Sequence, residues 1–85
     1  MRFSFWPQPN QSFSIMNQLG NHVEQSGWDG IWLADHFMPN AEDTSAPLPE
    51  AWTTLAALAA SIPRIRLGTL VTGNTYRHPA VLAKM

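Results

Sequence analysis

Gly30-Ile31-Trp32-Leu33-Ala34-Asp35-His36 decides the fold of this chain. Between the turn-like Trp28-Asp29-Gly30 and a polar loop, residues 30 to 34 form one continuous apolar run. That pattern predicts a strand buried on both faces, the kind found in parallel sheets. The run ends on a carboxylate and an imidazole, and parallel α/β folds place their sites just outside the carboxyl ends of the strands. Asp35 and His36 are therefore the first candidates for chemistry. An imidazole titrates near neutral pH and suits proton transfer. A turn carboxylate that accepts backbone N–H groups explains Asp35 equally well, and a structural histidine explains His36.

Working outward, Phe3 and Phe5 alternate with polar neighbours until Pro7 and Pro9, so residues 2 to 6 read as a short strand. Ser12 or Ser14 can cap a helix whose apolar face is Ile15, Leu19 and Val23, weakened by Gly20 and stopped by Gly27. The stretch from Phe37 to Pro49 is rich in Pro, Asn, Asp, Glu and Ser and lacks a period; loops of this length tend to bind or cover ligands. Glu50 to Ile62 reads as an Ala- and Leu-rich helix with Glu50 at its positive end and Pro63 closing it. Arg64 to Thr72 reads as a strand broken by Gly73 and Asn74, and His78-Pro79 opens another helix. Strand, helix, strand, helix, strand, helix is the order of an α/β chain with parallel strands joined by right-handed crossovers. Three such strands under two or three helices leave one sheet face open. The chain thus reads as the front part of a larger barrel or doubly wound sheet, with a miniature α/β domain as the alternative.

Composition removes whole classes of function. Only five Lys plus Arg, a formal charge of -1 and no basic stripe leave nothing to neutralise a run of phosphates, so no nucleic acid partner is expected. No apolar stretch approaches the length of a bilayer span, and the amino terminus lacks a signal-peptide pattern. With no cysteine, disulfides and thiolate metal sites are excluded, which fits a cytoplasmic protein. The turn after the first strand, Trp6-Pro7-Gln8-Pro9-Asn10, lacks the glycines of a dinucleotide fingerprint. Neither a phosphate-binding Gly-Lys-Ser/Thr loop nor a Gly-x-Ser-x-Gly elbow is present. Asp35, His36 and His78 could approach a divalent ion, but no third and fourth ligands are identifiable, so no metal is expected. Trp32 and Trp52 read as core residues, His22 as a surface or helix-packing residue. Trp6, at a strand end, is a candidate wall for a flat-ring pocket.

Three segments carry a resemblance to a known family: Ile31-Trp32-Leu33-Ala34-Asp35-His36-Phe37, Glu50 through Ala60, and Arg64 through Ala80. Together, in order and spacing, they resemble the luciferase-like monooxygenase family, most closely its branch that uses the deazaflavin coenzyme F420. The resemblance implies a (β/α)8 TIM barrel, with residues 1–85 as an amino-terminal fragment of that single domain. It implies hydride transfer between coenzyme F420 and a small-molecule substrate, with a cytoplasmic, homodimeric parent enzyme. Carried over residue by residue, His36 handles a proton and Asp35 orients His36 or the ring. Leu70, Val71, Thr72, Gly73, Asn74 and Trp6 contact the ring, with a non-prolyl cis peptide at Leu70-Val71. Barrels commonly grip the cofactor phosphate with loops after the seventh and eighth strands, so this chain alone is expected to bind cofactor weakly or not at all and to be inactive. An FMN-dependent monooxygenase is the alternative within the family. A non-catalytic α/β module that self-associates through exposed Trp32, Leu33 and Val71 is the alternative outside it.

Overall fold

Capping side chains set the helix starts. The computed structural model describes residues 1–85, ordered β1 (Ser4–Phe5), α1 (Phe13–Gln25), β2 (Gly30–Leu33), α2 (Ala51–Ser61), β3 (Arg66–Thr69) and α3 (Pro79–Leu82). The Ser12 hydroxyl accepts the Ile15 N–H at 3.4 Å, which satisfies one of the free donors at the start of α1. Gly27 ends that helix at φ 77°, a left-handed conformation that a residue without Cβ adopts at little cost. Glu50 stands before α2 and accepts the Thr53 N–H at 2.6 Å, placing its carboxylate at the positive end of the helix. His78 caps α3 in the same way, its Nδ1 accepting the Ala80 N–H at 3.2 Å. No helix is long and apolar enough to cross a membrane.

The strands lie in the order β1-β2-β3, all parallel, with Ser4 opposite Gly30, Ile31 opposite Leu67 and Leu33 opposite Thr69. Both helices cover the same face. Met16 and Val23 of α1 and Ala51, Leu55 and Leu58 of α2 meet Ile31 and Leu33 in one cluster, which Ile62 completes. Side chains alternate across a strand, so Trp32 points away from that cluster, lies over Gly68 and is half-buried. β2 is thus buried on its helix side and only partly covered on the other, short of the two-sided burial its apolar run predicts.

Several boundaries and faces differ from the sequence reading. The buried face of α1 is Met16, Gly20 and Val23, whereas Ile15 is exposed. Gly20 lies in close packing against Ile62: a Cβ there would lie 2.2 Å from Ile62 Cδ1. Its low helix propensity is offset by this close approach. β3 begins at Arg66 rather than Arg64, because the Arg64 and Ile65 N–H groups donate to the Glu24 carboxylate at 3.0 and 3.4 Å instead of joining the ladder. It ends at Thr69; Leu70 still donates to Leu33 O at 2.8 Å, and the Leu70-Val71 peptide is cis. Leu33 is buried in the helix-side core and Trp32 is half-buried, so of the three residues expected to drive self-association only Val71 is exposed.

Leu58 is wholly buried at the centre of the cluster. Leu58→Ala is expected to cost about 2 to 5 kcal/mol, measured by urea unfolding, which is a large share of a small domain's total stability. Gly30→Ala should destabilise as well, because a Cβ would meet the Arg66 carbonyl oxygen at 2.7 Å and force β2 from β3. An unchanged midpoint for both variants would contradict this packing.

Candidate active site

Strand alternation separates Asp35 from His36. Leu33 faces the helices, Ala34 the other way, and continuing that alternation sends Asp35 to the helix side and His36 to the open side. The two neighbours therefore enter different environments. Asp35 is 2% exposed and His36 is half-buried.

A buried carboxylate needs a partner, and Asp35 has two. Arg77 Nη1 donates to Oδ2 at 2.6 Å and Nη2 to Oδ1 at 2.9 Å, a two-armed pairing that suits a guanidinium. The Gly73 N–H donates to Oδ2 at 3.0 Å. Arg77 Nη2 also reaches Glu50 Oε1, so one cation joins the end of β2, the start of α2 and the loop between β3 and α3. The Arg77 hydrogen bonds hold the Asp35 carboxyl below its usual range against the opposing effect of burial, and the Gly73 N–H adds to the lowering. For Glu50, burial favours the neutral acid, but the Thr53 hydrogen bonds and then Arg77 more than offset it, and its value is also lowered. Asp35 in turn raises the Arg77 value above that of a free guanidinium. The Trp52 indole N–H, buried nearby, makes no hydrogen bond of ordinary geometry.

His36 sits where two clefts meet. The first, of about 360 Å3, lies between Trp6, Ala34, His36 and Leu48 and has Gln8, Asn10 and Asn40 as polar groups. The second, of about 500 Å3, is lined by His36, Phe37, Thr44 and Tyr76 among others. Phe37 stacks on Tyr76 with ring centres 4.2 Å apart. Both clefts use the loop from Phe37 to Pro49, the segment whose length marked it as a binding element.

Of the expected ring contacts, Trp6 lies beside His36 in the first cleft, 57% exposed. Leu70 and Val71 are exposed at the end of β3, where the cis peptide falls on the expected bond. Thr72 shares a hydroxyl contact with Thr69, Gly73 binds Asp35, and Asn74 is exposed. Neither cleft at His36 includes Leu70 to Asn74; Asp35 links that segment to the end of β2 through Gly73. His78 is spent on capping α3, and no three His, Asp or Glu side chains gather as a metal site requires. Sequence reasoning missed Arg77. Its signal was a buried-strand carboxylate that needs a cation, in a chain with only five Lys and Arg.

Residues 1–85 match the sequence profile of the family described as luciferase-like monooxygenase. Among curated relatives, an "F420-dependent glucose-6-phosphate dehydrogenase" of Amycolatopsis mediterranei is 40% identical over 64 residues, covering 73% of this chain and 19% of the relative. The protein of the same name from Intrasporangium calvum is 40% identical over 83 residues, covering 93% of this chain and 24% of its own length. That of Kineococcus radiotolerans is 41% identical over 64 residues, with 73% and 18% covered. The chain thus spans about a fifth of the length of the curated relatives it matches.

The lowered Asp35 value sets a pH dependence. A carboxylate whose folded value is depressed stabilises the fold above its unfolded value of 3.8 and loses that contribution as pH falls through the folded value. Without Arg77 the buried acid is penalised at neutral pH and relieved on protonation. The stability difference between the parent chain and Arg77→Met, from thermal melts, is therefore expected to be large at pH 7 and to shrink on acidification. A difference independent of pH would contradict the pairing.

Proposed function

The chain belongs to the luciferase-like monooxygenase family, and from that premise we propose that it forms part of a coenzyme F420-dependent oxidoreductase. Residues 1–85 would be the amino-terminal strand–helix units of a single TIM barrel, in a cytoplasmic and homodimeric parent. The observation that carries the reading is the placement of His36. It is half-buried at the carboxyl end of β2, free of the ion pair that occupies its neighbour, and bordered by Trp6 and two clefts.

The residues present fit a flat ring. Trp6, Leu70 and Val71 offer exposed apolar surface at the carboxyl ends of β1 and β3, with Gln8, Asn10 and Asn40 as polar groups in the cleft beside Trp6. When bound, coenzyme F420 supplies a ring carbon that takes or returns a hydride. His36 would accept the hydroxyl proton as a small alcohol-like substrate loses that hydride, and return it in the reverse direction. Asp35 would act from behind, holding the backbone at His36 through Arg77 and Gly73. Thr72 and Asn74 would offer backbone and polar contacts at the ring edge, with Gly73, whose N–H and C=O are taken by Asp35 and by the Tyr76 N–H, holding the segment in place. The family description also favours a second reading, an FMN-dependent monooxygenase, in which turnover consumes oxygen.

A chimera tests the proposal. Residues 1–85 replace the matching stretch of the Intrasporangium calvum relative, which they cover over 93% of this chain. The chimera is expected to reduce coenzyme F420 with glucose 6-phosphate, followed by the loss of the deazaflavin's visible absorbance. His36→Ala in the chimera is expected to lower kcat by about 100-fold or more. A folded chimera that is inactive, or whose activity ignores His36, would defeat the assignment; FMN-dependent oxygen uptake would establish the second reading instead.

A further inference from the structure

His36 carries none of its own anchoring: no protein group forms a hydrogen bond or ion pair with its side chain. Its chain neighbours carry it instead. Asp35, on one side, is bound by Gly73 N–H at 3.0 Å and by both arms of Arg77. Phe37, on the other, stacks on Tyr76 at 4.2 Å with the rings 26° from parallel. All three partners belong to one five-residue stretch, Gly73 to Arg77, in the loop between β3 and α3. Within that loop Gly73 is matched to Tyr76: a Cβ on Gly73 would lie 2.4 Å from Tyr76 Cδ2, so only glycine lets the ring lie where it meets Phe37. Arg77 fixes the loop in turn, because Nη2 binds Glu50 at the start of α2.

We infer that Arg77 is a positioning residue for His36, working through a two-point clamp in which Asp35 and Phe37 are both held by the Gly73–Arg77 loop. The clamp ties the imidazole to the same loop that follows Leu70-Val71, so one loop borders both His36 and the exposed end of β3. It is a fork and not a point charge that the geometry uses. Lys retains the charge yet cannot engage both Asp35 oxygens and Glu50 in one plane. The functional weight of the clamp rests on the reading of His36 as the proton-handling group, whereas the clamp itself does not.

Imidazole carbon–proton NMR spectra of the full chain test the inference, with His22 on α1 as internal reference and His78 set aside because it adjoins Arg77. Two variants break the two arms separately: Arg77→Lys, and Tyr76→Leu at a side chain 42% exposed, where the substitution is expected to leave the fold intact. Arg64→Ala, which removes a surface pair with Glu24 at 3.0 Å, is the control. The His36 signal is expected to move or split in both clamp variants, with His22 unmoved, and to stay in place in the control. If Arg77→Lys unfolds the chain, Tyr76→Leu decides alone. A folded variant with His36 unmoved, or with His22 and His36 displaced together, would overturn the clamp. In the chimera the same clamp variants are expected to lower kcat by a larger factor than they raise the KM for coenzyme F420. Failure of the chimera to use coenzyme F420 would defeat the functional reading and leave the spectral test of the clamp intact.

Discussion

The pairing of Asp35 with Arg77 is the constraint on which the carboxyl end of the sheet depends. A carboxylate 2% exposed is stable as an anion only with a cation and further donors around it. Arg77 supplies the charge, Gly73 supplies an N–H, and Glu50 takes up the remaining reach of the guanidinium. Three separate segments are thereby fixed to one point. Such pairs add little net stability compared with apolar packing, but removing one partner strands the other, which makes the arrangement specific to one geometry.

From that point the arrangement of the open face follows. The alternation that turns Asp35 inward turns His36 outward, to the side where Trp6 and Ala34 form a cleft. One residue of the pair stabilises the framework and the other is left available. Adjacent ionisable residues at one strand end thus occupy different environments, the carboxylate charge being already committed to Arg77.

The architecture was legible because its signals are strong and local. The unbroken run at Ile31 to Ala34, the caps at Ser12 and Glu50, the stop at Gly27 and Pro79 at the start of α3 all act within a few residues. The parallel pairing of the strands followed from the alternation of elements, though their spatial order did not, and the cis peptide fell where the family resemblance put it. What sequence did not disclose was long-range pairing. Glu24 capturing the N–H groups of Arg64 and Ile65 shortened β3, and the buried face of α1 took Met16 and Gly20, the latter against Ile62, in place of Ile15 and Leu19 while keeping Val23. Arg77 lies 42 residues from Asp35, so no periodicity or motif linked them. The place of His36 at the end of β2 was legible; the commitment of Asp35 to the framework was not, because a turn carboxylate and a catalytic one look the same in sequence.

The central claim is that the Asp35 side chain is part of the framework and that of its neighbour His36 is not. Urea unfolding of Asp35→Asn and His36→Asn, side by side at pH 7, tests it most directly. The account predicts a clearly lowered midpoint for Asp35→Asn and a midpoint close to the parent chain's for His36→Asn. Equal loss in both, or a loss confined to His36→Asn, would contradict it.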